Sequence, residues 1–267
     1  MKKCFTINQM RKKENFIDYM KLLDNDIYQA IEIFYPYNQS QEQIKQYTDS
    51  VLEICEKYPN VELVLHLPHS IYNGLCLDQH LNAGSKEIMM AGMKYASLFG
   101  IKKLTLHLGH IDKNIVRSSY YEKVSLILKE LCDYAKQFDQ VIMIENMPGS
   151  NELGYSPEEL LTIIKLTDKD NLKFIFDTGH AHVSEFDDFI YLYLLKDYLY
   201  HIHYSDNDGS RDAHTRIGTG TYDFKKHFEV LKEIDYQELH CMEILHQNAD
   251  DLIEIANDVT KFDNKIN

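Results

Sequence analysis

The segment HIHYSDNDGSRDAHTRIGTG, residues 201–220, carries the most information about the fold. It begins as an apolar strand, passes through a loop that contains Asp206, Asp212 and His214, and ends in two glycines. Imidazole and carboxylate groups that collect where a strand ends are typical of metal sites rather than of core packing. Five further segments have the same form, an apolar run followed by His, Glu or Asp: LVLHLPH (63–69), KLTLHLGH (103–110), VIMIENMPG (141–149), KFIFDTGHAH (173–182) and LHCMEI (239–244).

Strand-like runs and helix-like segments alternate along the whole chain. The runs are short and nearly continuous in apolar character, as expected for parallel strands buried on both faces. Their starts lie 27 to 41 residues apart, which leaves room for a helix and its loops in each interval. The eight predicted strands are 3–8, 30–35, 61–67, 102–108, 141–146, 172–177, 200–205 and 239–244.

Helices are predicted between these strands. Segments 40–58 and 116–138 both place apolar residues at helical spacing. A third helix is predicted to begin after Ser156, with Pro157 in its first position and Glu159 completing a capping box.

Eight strand and helix units predict one particular α/β fold. The main rival, an open doubly wound sheet, requires a glycine-rich phosphate loop after its first strand, and the segment TINQMRKKEN (6–15) contains no glycine. We therefore predict a single (β/α)8 TIM barrel that forms one domain over residues 1–267.

Composition narrows the class of partner. The formal net charge of −14 disfavours a polyanion such as DNA, although a local basic patch would keep nucleic acid open as an alternative. No apolar run approaches the roughly 18 residues of a membrane span, and the N-terminus lacks the form of a secretory signal. The five cysteines are scattered and odd in number, which argues against a disulfide framework. We therefore expect a cytoplasmic protein without a membrane partner.

In a barrel of this kind the active site lies at the carboxyl ends of the strands. Polar residues end the last six predicted strands, and further candidates follow in the next loops. Imidazoles mixed with carboxylates suit Zn²⁺, Mn²⁺ or Fe²⁺. The candidates are too many for one ion, so we expect two or three ions that share carboxylates. They are His66, His107, Glu145, Asp177, His180, His203, Asp212, His214 and Glu243.

The ordered series of motifs resembles a known superfamily. The segments HLPHSIYNG (66–74), TLHLGH (105–110), IENMPG (144–149), FDTGHAH (176–182), 201–220 and MEI (242–244) are similar to those of the xylose-isomerase-like barrels. That superfamily holds sugar-phosphate isomerases and epimerases together with the apurinic-site endonucleases of family 2. The resemblance covers nearly the whole chain and implies that the nine candidates above are metal ligands. A simpler isomerase pattern would use only Glu145, Asp177, His203 and Glu243 around one ion, with His180 touching the substrate.

Residues outside the ligand set favour the isomerase group over the endonucleases. The endonucleases carry an arginine-bearing loop after their second strand, whereas YPYNQSQEQ (35–43) has no arginine here. They also carry a tyrosine where this chain has His69. The phrase HIHYSDNDGSRDAHTRIGTG, in contrast, is similar to the bacterial sugar-phosphate isomerases and epimerases. A barrel that binds a ligand without catalysis is a third hypothesis, disfavoured because the set of ligands is complete.

The resemblance implies an enzyme that transfers a proton next to a carbonyl of a carbohydrate or phosphorylated sugar, with a metal-stabilised enediolate. Glu145 and Glu243 would move the proton, and His180 would assist them. Hydrolysis of a phosphodiester at a multinuclear zinc site is the alternative. We assign substrate contacts to His69, Arg211, Arg216 and Asp206, with capping of the loop after strand seven as an equal alternative for Asp206. The remaining histidines are interpreted as structural or as supporting, and those without a nearby ligand, His80, His201, His227 and His240, as structural.

Overall fold

The computed structural model describes residues 1–7, 17–69, 82–112 and 114–264. Eight parallel strands pair in chain order, and the last strand pairs with the first, so the sheet closes into a barrel. The prediction of a (β/α)8 barrel is confirmed. The strands are β1 Lys2–Thr6, β2 Ala30–Phe34, β3 Glu62–His66, β4 Lys103–Leu106, β5 Val141–Glu145, β6 Leu172–Asp177, β7 Leu199–Tyr204 and β8 Leu239–Met242.

Helices connect successive strands around the outside of the barrel. The predicted segments 40–58 and 116–138 are helical in the structure, the second beginning with a 3-10 turn at Arg117–Tyr120. Asn8 at the end of the first predicted strand, the cysteine Cys76, and His80, predicted to be structural, lie outside the described residues. The helices are α1 Ile17–Asp24, α2 Gln41–Lys57, α3 Asn82–Ser97, α4 Tyr121–Lys136, α5 Pro157–Thr167, α6 Thr178–Val183, α7 Ile190–Leu195, α8 Phe224–Glu233 and α9 Ala249–Asn264.

Strand side chains divide between two cores, because successive residues of a strand point to opposite faces. The larger core lies between the barrel and the helices. A smaller core inside the barrel is made by residues such as Val64, Met143 and Ile175. Polar residues then occupy inward positions nearer the carboxyl ends of the strands, so this apolar layer forms the floor beneath the candidate site.

The start of α5 shows one departure from the sequence prediction. The Ser156 hydroxyl oxygen accepts the Glu159 N–H at 3.1 Å, and Pro157 opens the helix. The returning half of the predicted capping box is wrong. The Glu159 carboxylate accepts the Gly154 N–H at 2.7 Å and pairs with Arg117 at 2.6 Å, because a cation from the preceding 3-10 turn reaches it.

Within the described ranges, each helix is either too short or too polar to cross a lipid bilayer.

Candidate metal centre at the mouth of the barrel

The fold brings all nine predicted ligands together at the carboxyl ends of the strands. His66, Glu145 and Asp177 are the last residues of β3, β5 and β6, and His203 is the penultimate residue of β7. Their ligand atoms form three groups, each with all atoms within 4.8 Å of one another. The groups are His66, His107 and Glu145; Glu145, Asp177, His203 and Glu243; and His180, Asp212 and His214.

The central group surrounds one nitrogen of His203. Its Nδ1 lies 3.1 Å from Glu145 Oε1 and 3.0 Å from Glu243 Oε2. Asp177 closes the group, and its N–H and C=O are both bonded to the side chain of Asn146. Three strands and the residue after a fourth therefore deliver one imidazole and three carboxylates to a single point.

The other two groups flank this centre. On one side, His107 Nε2 lies 2.9 Å from Glu145 Oε2, so Glu145 belongs to two groups and has one oxygen toward each. On the other side, Asp212 Oδ2 lies 3.3 Å from His180 Nε2 and 2.9 Å from His214 Nε2. A carboxylate with its oxygens directed to two groups has the geometry required to bridge two ions.

Most of the histidines are anchored through one nitrogen and present the other to the carboxylates. The Nδ1 atoms of His66, His180 and His214 lie 2.8 to 2.9 Å from the backbone carbonyls of Leu67, Asn146 and Glu243. An N–H that donates to such an oxygen fixes the tautomer and leaves the other nitrogen free to bind a metal. His214 also has a φ of 45°, a left-handed conformation uncommon outside glycine, which indicates that the fold holds this side chain in place.

Buried oxygens without hydrogen bonds show that the residues fit divalent ions. Asp177 Oδ2 and Asp212 Oδ1 are buried and have no hydrogen-bond partner within the part of the chain that the structure describes. Gly179 lies between these carboxylates, where a Cβ would come 2.2 Å from Ser205 Oγ and 3.2 Å from Asp212 Oδ1. Since an unpaired buried carboxylate oxygen is costly, and imidazoles with carboxylates suit Zn²⁺ or Mn²⁺, the donor set fits such ions.

The electrostatics of the centre are dominated by its carboxylates. Burial would lower the pKa of His203, but Glu32, Glu243 and Glu145 outweigh burial and raise that pKa well above its usual value. Burial, together with Glu145 and Glu243, raises the pKa of Asp177 to about 6, against the influence of a nearby histidine. Without ions, the carboxylates of the central group thus lie beside an imidazole, that of His203, whose protonated form is favoured. Divalent ions would supply the same positive charge.

The predicted substrate residues are placed differently from one another. The Asp206 carboxylate accepts the N–H groups of Gly218 at 2.8 Å and Gly220 at 2.9 Å, so it organises its own loop, the alternative that the sequence left open. Arg216 pairs with Glu254 at 2.6 Å and also with Asp258, both on α9, which does not fit a phosphate-binding role.

The other two predicted substrate residues are Arg211 and His69. Arg211 is exposed in the loop after β7. His69 lies beside the first group, with its ring centroid 4.7 Å from that of His66 and 5.0 Å from that of His107. The position of His69 is compatible with contact to a substrate at the mouth.

One charged residue of this region, Glu32, was not among the predicted site residues. Glu32, in the middle of β2, is fully buried and lies 2.9 Å from Nε2 of His203. His201, interpreted as only structural, contacts the same Glu32 oxygen at 3.1 Å. The available signal was the run AIEIF, in which a charged residue interrupts a buried apolar strand and must therefore find partners inside.

Comparison with known proteins agrees with this architecture. Residues 25–261 match the family model described as xylose isomerase-like TIM barrel. The chain belongs to this family. A relative in Methanocaldococcus jannaschii, the uncharacterized protein MJ1311, is 31% identical over 195 residues, which cover 70% of this chain and 65% of that protein. The match thus spans slightly less than two thirds of the relative's length.

Solved structures share the same barrel over their whole length. A D-tagatose 3-epimerase-like protein superimposes with a TM-score of 0.79 at 26% identity, covering 99% of both chains. The IolI protein, described with a bound zinc atom, superimposes with a TM-score of 0.82 at 18% identity, covering 100% of this chain and 99% of that one. The likeness to IolI is one of fold alone.

Proposed function

We propose that this protein is a divalent-metal-dependent isomerase or epimerase of sugars that transfers a proton next to a carbonyl. The observation that carries the proposal is the central group, in which Glu145, Asp177, His203 and Glu243 converge within 4.8 Å. These are the four positions that the isomerase pattern requires. The likeness to a D-tagatose 3-epimerase-like protein over nearly the full length of both chains supports the same reaction class.

The ions would be held by the ligand groups at the mouth of the barrel. The central group would hold the ion nearest the substrate, and Zn²⁺ and Mn²⁺ both suit its donors. The zinc atom with which the IolI protein is described supports this assignment. A divalent ion in the central group would polarise the oxygens of the substrate and stabilise negative charge that develops on them.

Glu145 and Glu243 are the residues that we assign to proton transfer. They approach His203 Nδ1 from β5 and from the end of β8, at 3.1 and 3.0 Å, so a substrate above this point would meet a carboxylate from each. Burial would raise the pKa of Glu145, but His203 and His107 outweigh burial and hold that pKa well below its usual value, so the group is ionised, as a proton acceptor must be. His180 Nε2 lies 3.3 Å from Asp212 Oδ2 at the same mouth, and we assign it to donate to a substrate hydroxyl.

The contacts of Arg216 favour a sugar without a phosphate group. Of the two arginines that the sequence offers after β7, Arg216 is paired with Glu254 and Asp258, and only Arg211 is exposed. A buried bidentate arginine site for phosphate is therefore absent from the described part of that loop. We infer that free keto-sugars are better first substrates than their phosphates.

Hydrogen exchange with solvent provides the test of the proposed reaction. The full chain, loaded with Mn²⁺ or Zn²⁺, is incubated with D-tagatose, D-allulose or D-fructose in deuterium oxide, and NMR follows new sugars and deuterium at the carbon beside the carbonyl. We expect interconversion with deuterium incorporation that stops when a chelator removes the ions. Neither product nor deuterium across free and phosphorylated ketoses would contradict the proposal.

The division of the nine ligands into three groups favours a second candidate. A centre in which Glu145 joins two groups and His180, Asp212 and His214 form a third fits the multinuclear zinc site implied by the endonuclease resemblance. Metal-dependent hydrolysis of a phosphodiester is therefore the alternative function. Elemental analysis separates the two: three ions per chain, together with cleavage of abasic DNA and no ketose conversion, would establish hydrolysis instead.

A further inference from the structure

Glu32 holds an unusual position directly beneath the candidate metal centre. It is a fully buried carboxylate on β2, at the level where the interior of the barrel changes from apolar to polar. Neither the ligand groups of the mouth nor the proposed proton transfer requires it. Burying an ionised carboxylate costs free energy unless hydrogen-bond donors surround it. We therefore ask which function Glu32 has.

Donors from three strands satisfy the Glu32 carboxylate. Oε1 accepts the hydroxyl of Thr105 on β4 at 2.7 Å. Oε2 lies 2.9 Å from His203 Nε2, 3.1 Å from His201 Nε2 and 3.6 Å from Cys241 Sγ, which places β7 and β8 on the same oxygen. Every one of these groups can donate a hydrogen, so Glu32 is a fully partnered anion.

The contact with His203 links this anion to the metal centre. Nε2 of His203 is bonded to Glu32, so Nδ1 is the nitrogen that faces Glu145 and Glu243. A carboxylate that accepts from one imidazole nitrogen fixes the tautomer and the ring orientation, and it makes the other nitrogen a stronger ligand.

His203 differs in this respect from the other anchored histidines. His66, His180 and His214 are anchored by neutral backbone carbonyls, whereas the anchor of His203 is an ionised side chain. The anchoring nitrogen of His180 also lies 3.5 Å from Glu145 Oε1, but its hydrogen bond goes to the Asn146 carbonyl. Of these four histidines, His203 is therefore the one whose anchoring hydrogen bond is made to a carboxylate. Loss of Glu32 should weaken the central ion and leave ions in the flanking groups.

We propose that Glu32 is a positioning residue that orients His203 and strengthens the central metal site, while Thr105 and His201 hold the Glu32 carboxylate in place. The proposal rests on the metal site of the proposed function but not on the identity of the substrate. It assigns a role to a residue that the ligand pattern does not include.

The test compares metal affinity in the full chain before and after Glu32→Gln. Protein stripped with chelator is titrated with Zn²⁺ in competition with a chromogenic chelator, and bound ions are counted by elemental analysis. We expect Glu32→Gln to weaken the central ion by about 10- to 100-fold, the usual effect of removing an outer partner of a ligating histidine. The ions of the flanking groups should keep their affinity.

Thr105→Val is the matched control variant. It removes a buried donor to the same carboxylate but leaves the contact between Oε2 and His203 intact. We expect a smaller loss of affinity than in Glu32→Gln. Should Glu32→Gln fail to fold, Glu32→Asp keeps the buried charge while withdrawing it from His203, and the same weakening is expected. Thermal unfolding of the metal-free variants separates this effect from a general loss of stability.

The outcomes distinguish this inference from the proposed function. A folded Glu32 variant that binds every ion as tightly as the unmodified protein would overturn the positioning role alone. An unmodified protein that binds no divalent ion would overturn both the metal site and the positioning role. If ions bind but no sugar is converted, the proposed reaction fails, and the change in affinity still decides the role of Glu32.

Discussion

The two faces of strand β7 give histidines opposite surroundings. On the inner face, His203 lies between the carboxylates of Glu32, Glu145 and Glu243 at 2.9 to 3.1 Å. Although burial opposes protonation, these carboxylates raise the pKa of His203 well above its usual value. A buried imidazole of this kind holds a proton that a metal ion can replace.

On the outer face, the same strand presents a hydroxyl instead. The hydroxyl of Tyr204 lies 3.1 Å from His227 Nε2 and 2.8 Å from His240 Nδ1, and Tyr222 bonds to His227 at 2.9 Å. Burial is the main cause that lowers the pKa of His240 to about 3 and that of His227 well below its usual value. These imidazoles are neutral and pack between the barrel and α8.

Carboxylate partners outweigh burial at His203, whereas burial prevails at His227 and His240. Burial also prevails at His201, despite its contact with Glu32. His203, His227 and His240 are all buried, and each is hydrogen-bonded through at least one ring nitrogen. We call His203 and His214, with the carboxylates around them, the inner set. Their ring nitrogens face carboxylates, and such a mixture of groups also suits a divalent ion. Four experiments test this difference.

Glu243→Gln should have the largest effect, because it removes a proton acceptor from the inner set while keeping its shape. If the proposed function holds, we expect kcat for ketose conversion to fall about 10²- to 10⁴-fold, the usual contribution of a positioned acid or base. The measurement is the initial rate at saturating substrate, with bound metal counted in parallel.

Glu238→Gln is the control for this substitution. Glu238 precedes β8 at the opposite end of the barrel, where its carboxylate lies 2.9 Å from Lys103 Nζ. The Glu238→Gln substitution removes a glutamate charge next to the same strand but far from the mouth of the barrel. We therefore expect this variant to retain activity. Equal activities of the two variants would remove Glu243 from the catalytic assignment.

Metal binding to the inner set should release protons, and its affinity should therefore rise with pH. Without ions, the pKa of His203 is well above its usual value and that of His214 is raised to about 10. Burial lowers both pKa values, but nearby carboxylates outweigh burial. Each displaced proton changes affinity about tenfold per pH unit below the pKa of its group. Calorimetry of Zn²⁺ binding in buffers of different ionisation enthalpy counts these protons. Binding without proton release would show that the inner histidines are neutral.

The sequence was sufficient to predict the site residues that lie at the ends of strands. Buried parallel strands appear as continuous apolar runs, so His66, Glu145 and Asp177 stand out where those runs stop. Glu32 and His201 lie inside strands, and one chain does not show which inward positions meet across a barrel. The same limit applies to Glu159, whose partner Arg117 comes from another element. The register between strands and the paths of the loops bring these groups together. Local residue patterns do not predict the register or the loop paths.

The pH dependence of stability should have opposite signs for His240 on the outer face and His214 of the inner set. For His240, the folded pKa of about 3 lies below the unfolded value of about 6.5, so the unfolded chain takes up a proton that the folded chain refuses. Its contribution is present above pH 6.5 and is lost as pH falls, by about 2 kcal/mol at pH 5. For His214, raised to about 10, the contribution is present below pH 6.5 and is lost as pH rises.

Denaturant unfolding of metal-free His240→Gln and His214→Gln measures both signs. The unfolding free energy of the unmodified protein minus that of His240→Gln should shrink between pH 7 and pH 5. The corresponding difference for His214→Gln should shrink between pH 7 and pH 9. Parallel trends in the two variants would show that the partners do not set the protonation of these histidines.

The smallest effect concerns a histidine that combines both kinds of partner. His182 Nδ1 lies 2.9 Å from the Asp188 carboxylate, and its Nε2 lies 2.8 Å from the Thr221 hydroxyl. Because Thr221 ends the loop that carries Asp212 and His214, this chain of contacts ties the loop to the segment after β6. We expect Thr221→Val, which keeps the shape but removes the hydroxyl, to cost about 1 kcal/mol of stability.

The same substitution should weaken ion binding by His180, Asp212 and His214, since a less restrained loop presents two of these ligands less often. About 1 kcal/mol corresponds to roughly a fivefold change in affinity. Thr219→Val is the control, because the Thr219 hydroxyl bonds within its own loop, to the Arg216 carbonyl. If both variants bind ions equally well, the contact of His182 does not position the loop, and the loop is held instead by the bonds of Asp206 to Gly218 and Gly220.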